Sequence, residues 1–261
     1  MSTSIYYFTG TGNSLKISKD LASKMEDAQL IPMTTAIRTG VILDADSIAL
    51  VFPVYMFGLP RIVSEFVRKL SKQMKNKYII ALAVNGGTFA GTLLSLKRKL
   101  KAKGVKLSAG YSVITPSNFI VEFTTEEEEI VSLFHELEKK IDEIASVIKS
   151  KETHEVDRGN RKDCIIKTGI LNKVLSLLIP VMDLTFQTNK TACTSCSICS
   201  KVCPVDNIKI KDGAPVWKHH CQQCFACINN CPKNAIDYLK LSVDKKRYHN
   251  PYIKLEELMK K

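Results

Sequence analysis

Two stretches of this chain repeat each other. CTSCSICSKVCPVDNI (Cys193–Ile208) and CQQCFACINNCPKNAI (Cys221–Ile236) carry cysteines at the same four positions, at a constant offset of 28 residues. Cys193, Cys196, Cys199 and Cys203 align with Cys221, Cys224, Cys227 and Cys231, and each run is closed by a proline, Pro204 or Pro232. Thiols at this density must cross-link or coordinate, which constrains the fold more than any other feature of the sequence. A unit repeated once predicts two equivalent sites related by a local pseudo-twofold axis.

Cross-linking does not suit the distribution. A disulfide-stapled domain is small and cross-linked throughout, whereas here eight of the nine cysteines lie between Cys193 and Cys231. Cys164 stands outside the repeat and reads as a plain thiol. Structural zinc takes its thiolates as two separated pairs around a tetrahedral ion, and two dense four-cysteine runs fit that poorly. Four diverging thiolates do suit the four iron corners of a cubane. A C-x2-C-x2-C loop wraps three corners from one side, and the fourth cysteine is better placed to reach across to the other cluster. The following proline lacks an N–H and redirects the chain. KDGAPV (Lys211–Val216) between the runs predicts a hairpin turn. His219, His220 and Trp217 read as packing and surface residues.

The segment resembles bacterial-type two-[4Fe–4S] ferredoxins. The resemblance implies that Cys193, Cys196, Cys199 and Cys231 hold one cluster, and that Cys221, Cys224, Cys227 and Cys203 hold the other.

The N-terminal half has a different grammar. SIYYFTGTGNSLKISKDLASKM opens with an apolar run, passes through a Gly/Thr loop and enters a helical pattern near Asn13, which predicts strand, loop, helix. The loop, Thr9-Gly10-Thr11-Gly12-Asn13-Ser14, is neither a nucleotide P-loop nor a dinucleotide fingerprint. Hydroxyls and helix-start N–H groups suit a phosphate. No Lys or Arg precedes Lys16, which points to a monophosphate such as FMN; a simple capped helix start is the other reading. Further apolar runs at Leu30–Ile31, Ile48–Phe52, Tyr78–Val84 and Gly110–Thr115 alternate with helical patterns at Arg61–Leu70, Thr92–Lys101 and from Thr124. That alternation predicts a doubly wound α/β fold with a five-stranded parallel sheet of order 2-1-3-4-5, its ligand lying beyond the strand C-termini. In the last helix Ile130, Phe134, Leu137, Ile141, Ile144 and Ile148 share one face, with Thr124 or Thr125 as the expected cap.

The phosphate loop resembles that of flavodoxins. The resemblance implies that two further loops bracket a flavin ring. One runs from Pro53 through Tyr55, Phe57 and Gly58; the other holds Asn85, Gly86, Gly87, Phe89 and Gly91. Tyr55 and Phe57 are the stacking candidates, with Phe89 behind them, and packing is an equal reading of these aromatics. Gly86, Gly87 and Gly91 would let backbone approach the ring.

The expected organisation is a flavodoxin-like domain over 1–150, a linker and interdomain helix over 151–187, a small α+β two-cluster ferredoxin domain over 188–242 and a basic tail over 243–261. SKETHEVDRGNRKD (Ser150–Asp163) reads as a linker or mobile loop. GILNKVLSLLIPVMDLTF (Gly169–Phe186) is apolar on nearly all sides; burial between the domains is the first reading, docking to a partner or membrane surface the second. No run of eighteen uncharged apolar residues exists, so no membrane span is expected. With no secretory signal evident, a cytoplasmic location is expected. Formal net charge is +12. The basic runs Lys97–Lys106 and Lys245–Lys254 read as a solvated helix face and a charged tail, and nucleic acid is not the expected partner.

The whole chain resembles fused flavodoxin-like/ferredoxin proteins of anaerobic bacteria. The resemblance implies an electron-transfer iron–sulfur flavoprotein with FMN, two [4Fe–4S] clusters and an external redox partner protein or reductase. A second reading has the flavodoxin-like domain bind no flavin and serve as a docking or regulatory module. No acid–base dyad or activated nucleophile is evident.

Overall fold

A computed structural model of the chain describes residues 2–40, 45–70, 72–122 and 126–259. Its first half is a parallel sheet of β1 (Ser2–Tyr7), β2 (Asp27–Pro32), β3 (Ser47–Pro53), β4 (Tyr78–Asn85) and β5 (Ala109–Ile114). The order is β2-β1-β3-β4-β5, as expected. The central strands read as continuous apolar runs because both faces are covered. Ile48, Ala49, Leu50, Val51 and Phe52 of β3 are all buried, as are Ile79 to Val84 of β4. Helices α1 (Asn13–Ser23), α2 (Met33–Thr39), α3 (Arg61–Lys69), α4 (Thr92–Ala102) and α5 (Glu127–Ser150) supply the cover. α1 packs on α5, and α3 on both α2 and α4. The short α2, entered at Pro32, had no sequence signal strong enough to predict it. All six apolar residues predicted along α5 are buried. Its expected caps, Thr124 and Thr125, lie outside the described residues.

The stretch read as a mobile linker is pinned along the outer edge of β5. His154 N–H donates to Ser108 O (3.0 Å), Asp157 N–H donates to Gly110 O (2.8 Å), and the Asp157 carboxylate accepts from Ser112 N–H (2.7 Å). Its one apolar residue, Val156, is buried over Gly110. The segment thereby covers backbone groups that a free edge strand would present to solvent.

A continuous helix then runs over Arg161–Thr185. Its turns change from α to π at Cys164–Leu171, return to α at Asn172–Leu178 and tighten to 3-10 at Ile179–Thr185. The expectation that this segment is buried between domains is overturned. Thr168 and Asp183 face inward with Ile179, while most of its apolar residues face outward. Thr168 is buried, while Ile170 is 61%, Val174 56%, Leu177 76% and Leu184 70% exposed. The reason lies in what it packs against: loop carbonyls that need donors. Thr168 Oγ1–H donates to Phe57 O (2.6 Å) and Asn172 Nδ2–H to Met56 O (2.9 Å). By length and composition this helix also meets the criteria for a membrane span, with mean hydropathy 1.6 in an 18-residue window. The rule of eighteen uncharged residues passed over it because Lys173 and Asp183 interrupt it.

The cysteine-rich region holds two antiparallel pairs, β6 (Phe186–Thr188) with β9 (Ile236–Tyr238) and β7 (Ile208–Lys211) with β8 (Ala214–Trp217). The predicted hairpin turn is present, with Asp212 at φ 50° and Gly213 at φ 74°, the pairing that a type I′ turn needs. The sequence repeat is a backbone repeat as well. Ser195 and Gln223 have φ 56° and 53°, Ser197 and Phe225 63° and 55°, Asp206 and Asn234 51° and 48°. Short helices Ile198–Lys201 and Ala226–Asn229 occupy equivalent places.

Candidate cofactor sites

The four-cysteine sets close around two small cavities. One is lined by Cys193, Cys196, Cys199 and Cys231, the other by Cys221, Cys224, Cys227 and Cys203. Each set takes three thiols from one run and its fourth from the other run. Backbone N–H groups point at sulfur in matching places: Asn207 N–H at Cys203 Sγ and Ala235 N–H at Cys231 Sγ, both 3.2 Å. Gln223 N–H does the same to Cys221 Sγ at 3.2 Å. Such donors favour sulfur with negative charge. Burial pushes the Cys199 thiol up to about 11 and the Cys221 thiol up to about 12. Bare thiolates are therefore disfavoured at neutral pH, and holding these sulfurs ionised would take a cationic centre. Among the described residues no three Cys, His, Asp or Glu side chains converge on a point suited to a single metal ion. Thiols spread around a cavity fit a cubane better than a tetrahedral ion.

The second set is the more deeply enclosed. Cys221, Cys224 and Cys227 are buried, whereas Cys196 is exposed. Cys221 N–H donates to Pro180 O (3.1 Å) on the Arg161–Thr185 helix. Asp183 of that helix is 1% exposed and accepts from Asn207 Nδ2 (2.7 Å) and His219 N–H (3.1 Å). His219 Nδ1 lies 2.7 Å from the same carboxylate. His219 thus anchors the second loop rather than merely covering it.

A third cavity, of about 480 Å³, lies at the C-terminal ends of β1, β3, β4 and β5, where an open α/β sheet binds its ligand. It is lined by the predicted Thr9, Gly10, Thr11, Asn13, Ser14, Pro53, Tyr55, Phe57, Asn85 and Gly86. The loop is closed by Gly12 N–H donating to Thr9 Oγ1 (3.1 Å), and Gly12 sits at φ 107°. The first cation beyond it, Lys16, is bound to Asp20 at 2.6 Å, so the loop's donors are neutral, as the sequence implied.

Other predicted residues stand elsewhere. Gly12, Gly58, Gly87, Phe89 and Gly91 do not line the cavity. A Cβ on Gly58 would meet Asn172 at 2.4 Å, and Gly91 N–H donates to Thr168 Oγ1 (2.8 Å). Both glycines make room for the Arg161–Thr185 helix. Phe89 packs against the core. The Asn13 side chain is taken up by protein partners. It donates to Pro116 O (2.8 Å) and accepts from Tyr248 Oη (2.6 Å) and Asn250 Nδ2 (3.0 Å). The segment read as a charged tail thus returns to brace the phosphate loop, with Asn250 N–H donating to Thr11 O (2.8 Å).

Sequence reasoning missed one wall of the cavity. Ser117, Asn118 and Phe119 follow β5, Lys167 comes from the apolar helix, and Gln223 and Phe225 come from the second cysteine run. The two cofactor regions therefore touch. A Cβ on Gly10 would lie 2.7 Å from Cys224 O, and Asn118 Nδ2 donates to that carbonyl (2.9 Å). Burial, then the neighbouring Cys224, raises the Tyr55 hydroxyl well above the usual phenol range. Gln223 is 4% exposed, and neither amide atom has a hydrogen-bond partner. A buried amide with both ends unpaired is costly. Together with a neutral phosphate loop and a cavity walled by Tyr55, Phe57, Phe119 and Phe225, it fits a ligand such as a flavin, with an edge that both donates and accepts.

The fold and these sites define an electron-transfer protein with an iron–sulfur component. Residues 4–107 match a flavodoxin domain and residues 192–236 a 4Fe-4S dicluster domain. The chain is a fused flavodoxin/ferredoxin protein. No curated protein matches it. Among solved structures, it is similar to the rubredoxin oxygen:oxidoreductase of the anaerobe Desulfovibrio gigas, with 17% identity, TM-score 0.42, and coverage of 57% of this chain and 36% of that one. It is also similar to a Fusobacterium nucleatum flavodoxin bound to flavin mononucleotide, with 18% identity, TM-score 0.40, and coverage of 58% and 99%. A flavodoxin of Streptococcus pneumoniae aligns at 15% identity, TM-score 0.38, over 58% and 99% of the two chains.

Proposed function

We propose that the chain carries FMN and two [4Fe–4S] clusters and passes electrons among them and to an external redox protein. FMN joins one-electron to two-electron chemistry, and each cluster carries one electron. The single observation that supports this most is the shared wall: the loop bearing Cys221, Cys224 and Cys227 also supplies Gln223 and Phe225 to the flavin-sized cavity.

In this reading Thr9, Thr11, Ser14 and the N–H groups at the start of α1 hold the phosphate, with the helix dipole adding to their pull. Gly10 carries no side chain, so the phosphate loop lies directly against Cys224. Phe225 packs edge-on against Phe119 at 5.2 Å, and Phe186, Trp217 and Tyr238 extend the aromatic cluster. These rings keep water from the space between the second thiol set and the cavity, lowering the local dielectric. The first thiol set, with Cys196 exposed, faces outward and is the natural exit to a partner.

Anaerobically purified full-length protein should hold about eight iron atoms and about one FMN. Flavin-free protein should quench FMN fluorescence on titration. No quenching, with iron intact, would favour the reading in which the N-terminal domain binds no flavin.

A further inference from the structure

The Arg161–Thr185 helix is inverted with respect to a soluble protein's surface helix. Ile165, Ile170, Val174, Leu177, Val181 and Leu184 are between 44% and 76% exposed, and only 11% of its most apolar window is buried. Its inward face makes the polar bonds to Met56, Phe57 and Gly91 described above. Leu239 N–H donates to Thr185 O (3.0 Å), which brings a second exposed apolar group, Leu239, Leu241 and Val243, beside the helix end. Contiguous exposed apolar surface of this extent marks a binding face.

The charges select the occupant. Asp163 is paired with Lys167 at 3.1 Å, and Asp183 is buried. The helix's exposed charges are Arg161, Lys162 and Lys173, all positive. An apolar stripe with cations along it is the pattern of a helix that lies in the headgroup region of an anionic bilayer. Lys side chains at its margins can reach phosphates while the stripe enters the acyl boundary. A second copy of the chain suits this face less well. Lys173 stands at the midpoint of Arg161–Thr185, so a twofold pairing of two such helices sets Lys173 against its own copy. Crossing the bilayer is also disfavoured, since it would strip Thr168, Asn172 and the buried Asp183 from their partners.

We infer that the Arg161–Thr185 helix, with the Leu239–Val243 turn, docks the protein on the surface of an anionic membrane, its axis in the plane of the interface. The helix touches both cofactor regions, through Thr168 and Asn172 at the flavin loops and through Pro180 and Asp183 at the second thiol set. A docked protein therefore holds both at a fixed height above the lipid.

The test uses anaerobically purified full-length protein and vesicles of phosphatidylcholine with or without phosphatidylglycerol. Co-sedimentation is expected with the anionic vesicles, weakened by salt and nearly absent with phosphatidylcholine alone. Leu177→Gln with Leu184→Gln, at the two most exposed positions, should lower binding at least roughly tenfold while leaving iron content and melting temperature unchanged. Lys162→Glu with Lys173→Glu should do the same on anionic vesicles. Failure to sediment with either vesicle overturns the proposal. So does a dimer in sedimentation velocity that Leu177→Gln disrupts, with no vesicle binding, since the face would then belong to a second copy. Retention in vesicles after alkaline carbonate washing overturns it too, in favour of a spanning helix.

Discussion

Gln223→Met tests whether the cavity between the two domains is a flavin site built jointly by them. Gln223 is 4% exposed, its backbone stands at φ 53°, and its amide finds no partner within the protein. Methionine has nearly the same volume and is equally unbranched, so it can occupy the space without new strain. What it removes is one donor and one acceptor on a side chain that lines the cavity. Each such bond contributes about 0.5–1.5 kcal/mol net, so losing both should weaken FMN by about 1–2 kcal/mol, roughly 5- to 30-fold in Kd. The amide has no partner in the protein without flavin, so the melting temperature of the flavin-free variant should not fall. The backbone N–H that serves Cys221 Sγ at 3.2 Å is retained, so iron content should be unchanged. Fluorescence titration with FMN and with riboflavin is the assay. Because the lost contacts lie at the ring, both ligands should weaken by the same factor. The argument fails if wild-type protein binds FMN and the variant binds it within about twofold of wild type, or if only FMN and not riboflavin is affected.

Ser14→Asp supplies the complementary result. Ser14 is 1% exposed in a loop whose first following cation, Lys16, is already paired, as is Lys167 of the cavity wall; a carboxylate there should weaken FMN by at least about 1–2 kcal/mol while sparing riboflavin, as isothermal titration would show. Gly10→Ala places a methyl 2.6 Å from Tyr55 Oη and 2.7 Å from Cys224 O; overpacking should cost about 1–3 kcal/mol in thermal or denaturant unfolding, and an unshifted midpoint would mean that the two domains do not meet there. Cys203→Ala, followed by anaerobic alkylation and peptide mapping, should expose Cys221, Cys224 and Cys227 while Cys193, Cys196 and Cys199 stay protected. Labelling of the first run instead would mean that each run encloses its own cluster.

What could be read in advance divides by the range of the interaction. Strand order and the α5 stripe follow from periodicity, which is local to the sequence, and they stand as expected; the thiol sets were implied by a resemblance. The second wall of the flavin cavity does not. Gln223 lies between two cysteines and carries no motif of its own; only the cavity it shares with a loop more than two hundred residues earlier gives it a role. Gly58 and Gly91 looked like flavin glycines because their loops resemble those of flavodoxins, yet the close approach they permit is to Asn172 and Thr168. The apolar helix was misjudged because hydrophobicity alone does not say which face turns inward. Thr168 and Asn172 decided it, through carbonyls that no sequence pattern reveals. Ser150–Asp163 looked loose because it is polar, but the bonds that hold it run to the backbone of β5 and of Ser108 just before it, to which composition is blind.

The bracing of Asn13 by Tyr248 and Asn250 has a consequence for the order in which this protein is made. The phosphate loop emerges at the start of synthesis, and its partners follow more than two hundred residues later, after both cysteine runs. A nascent chain can fold its sheet and present all eight thiols while Asn13 still lacks the tyrosine hydroxyl and the asparagine amide that hold it. For the cofactors proposed above, this order of synthesis would leave iron insertion open first and the nucleotide seat finished last. A polypeptide cut short before Tyr248 would carry its thiols yet offer the flavin an unbraced loop.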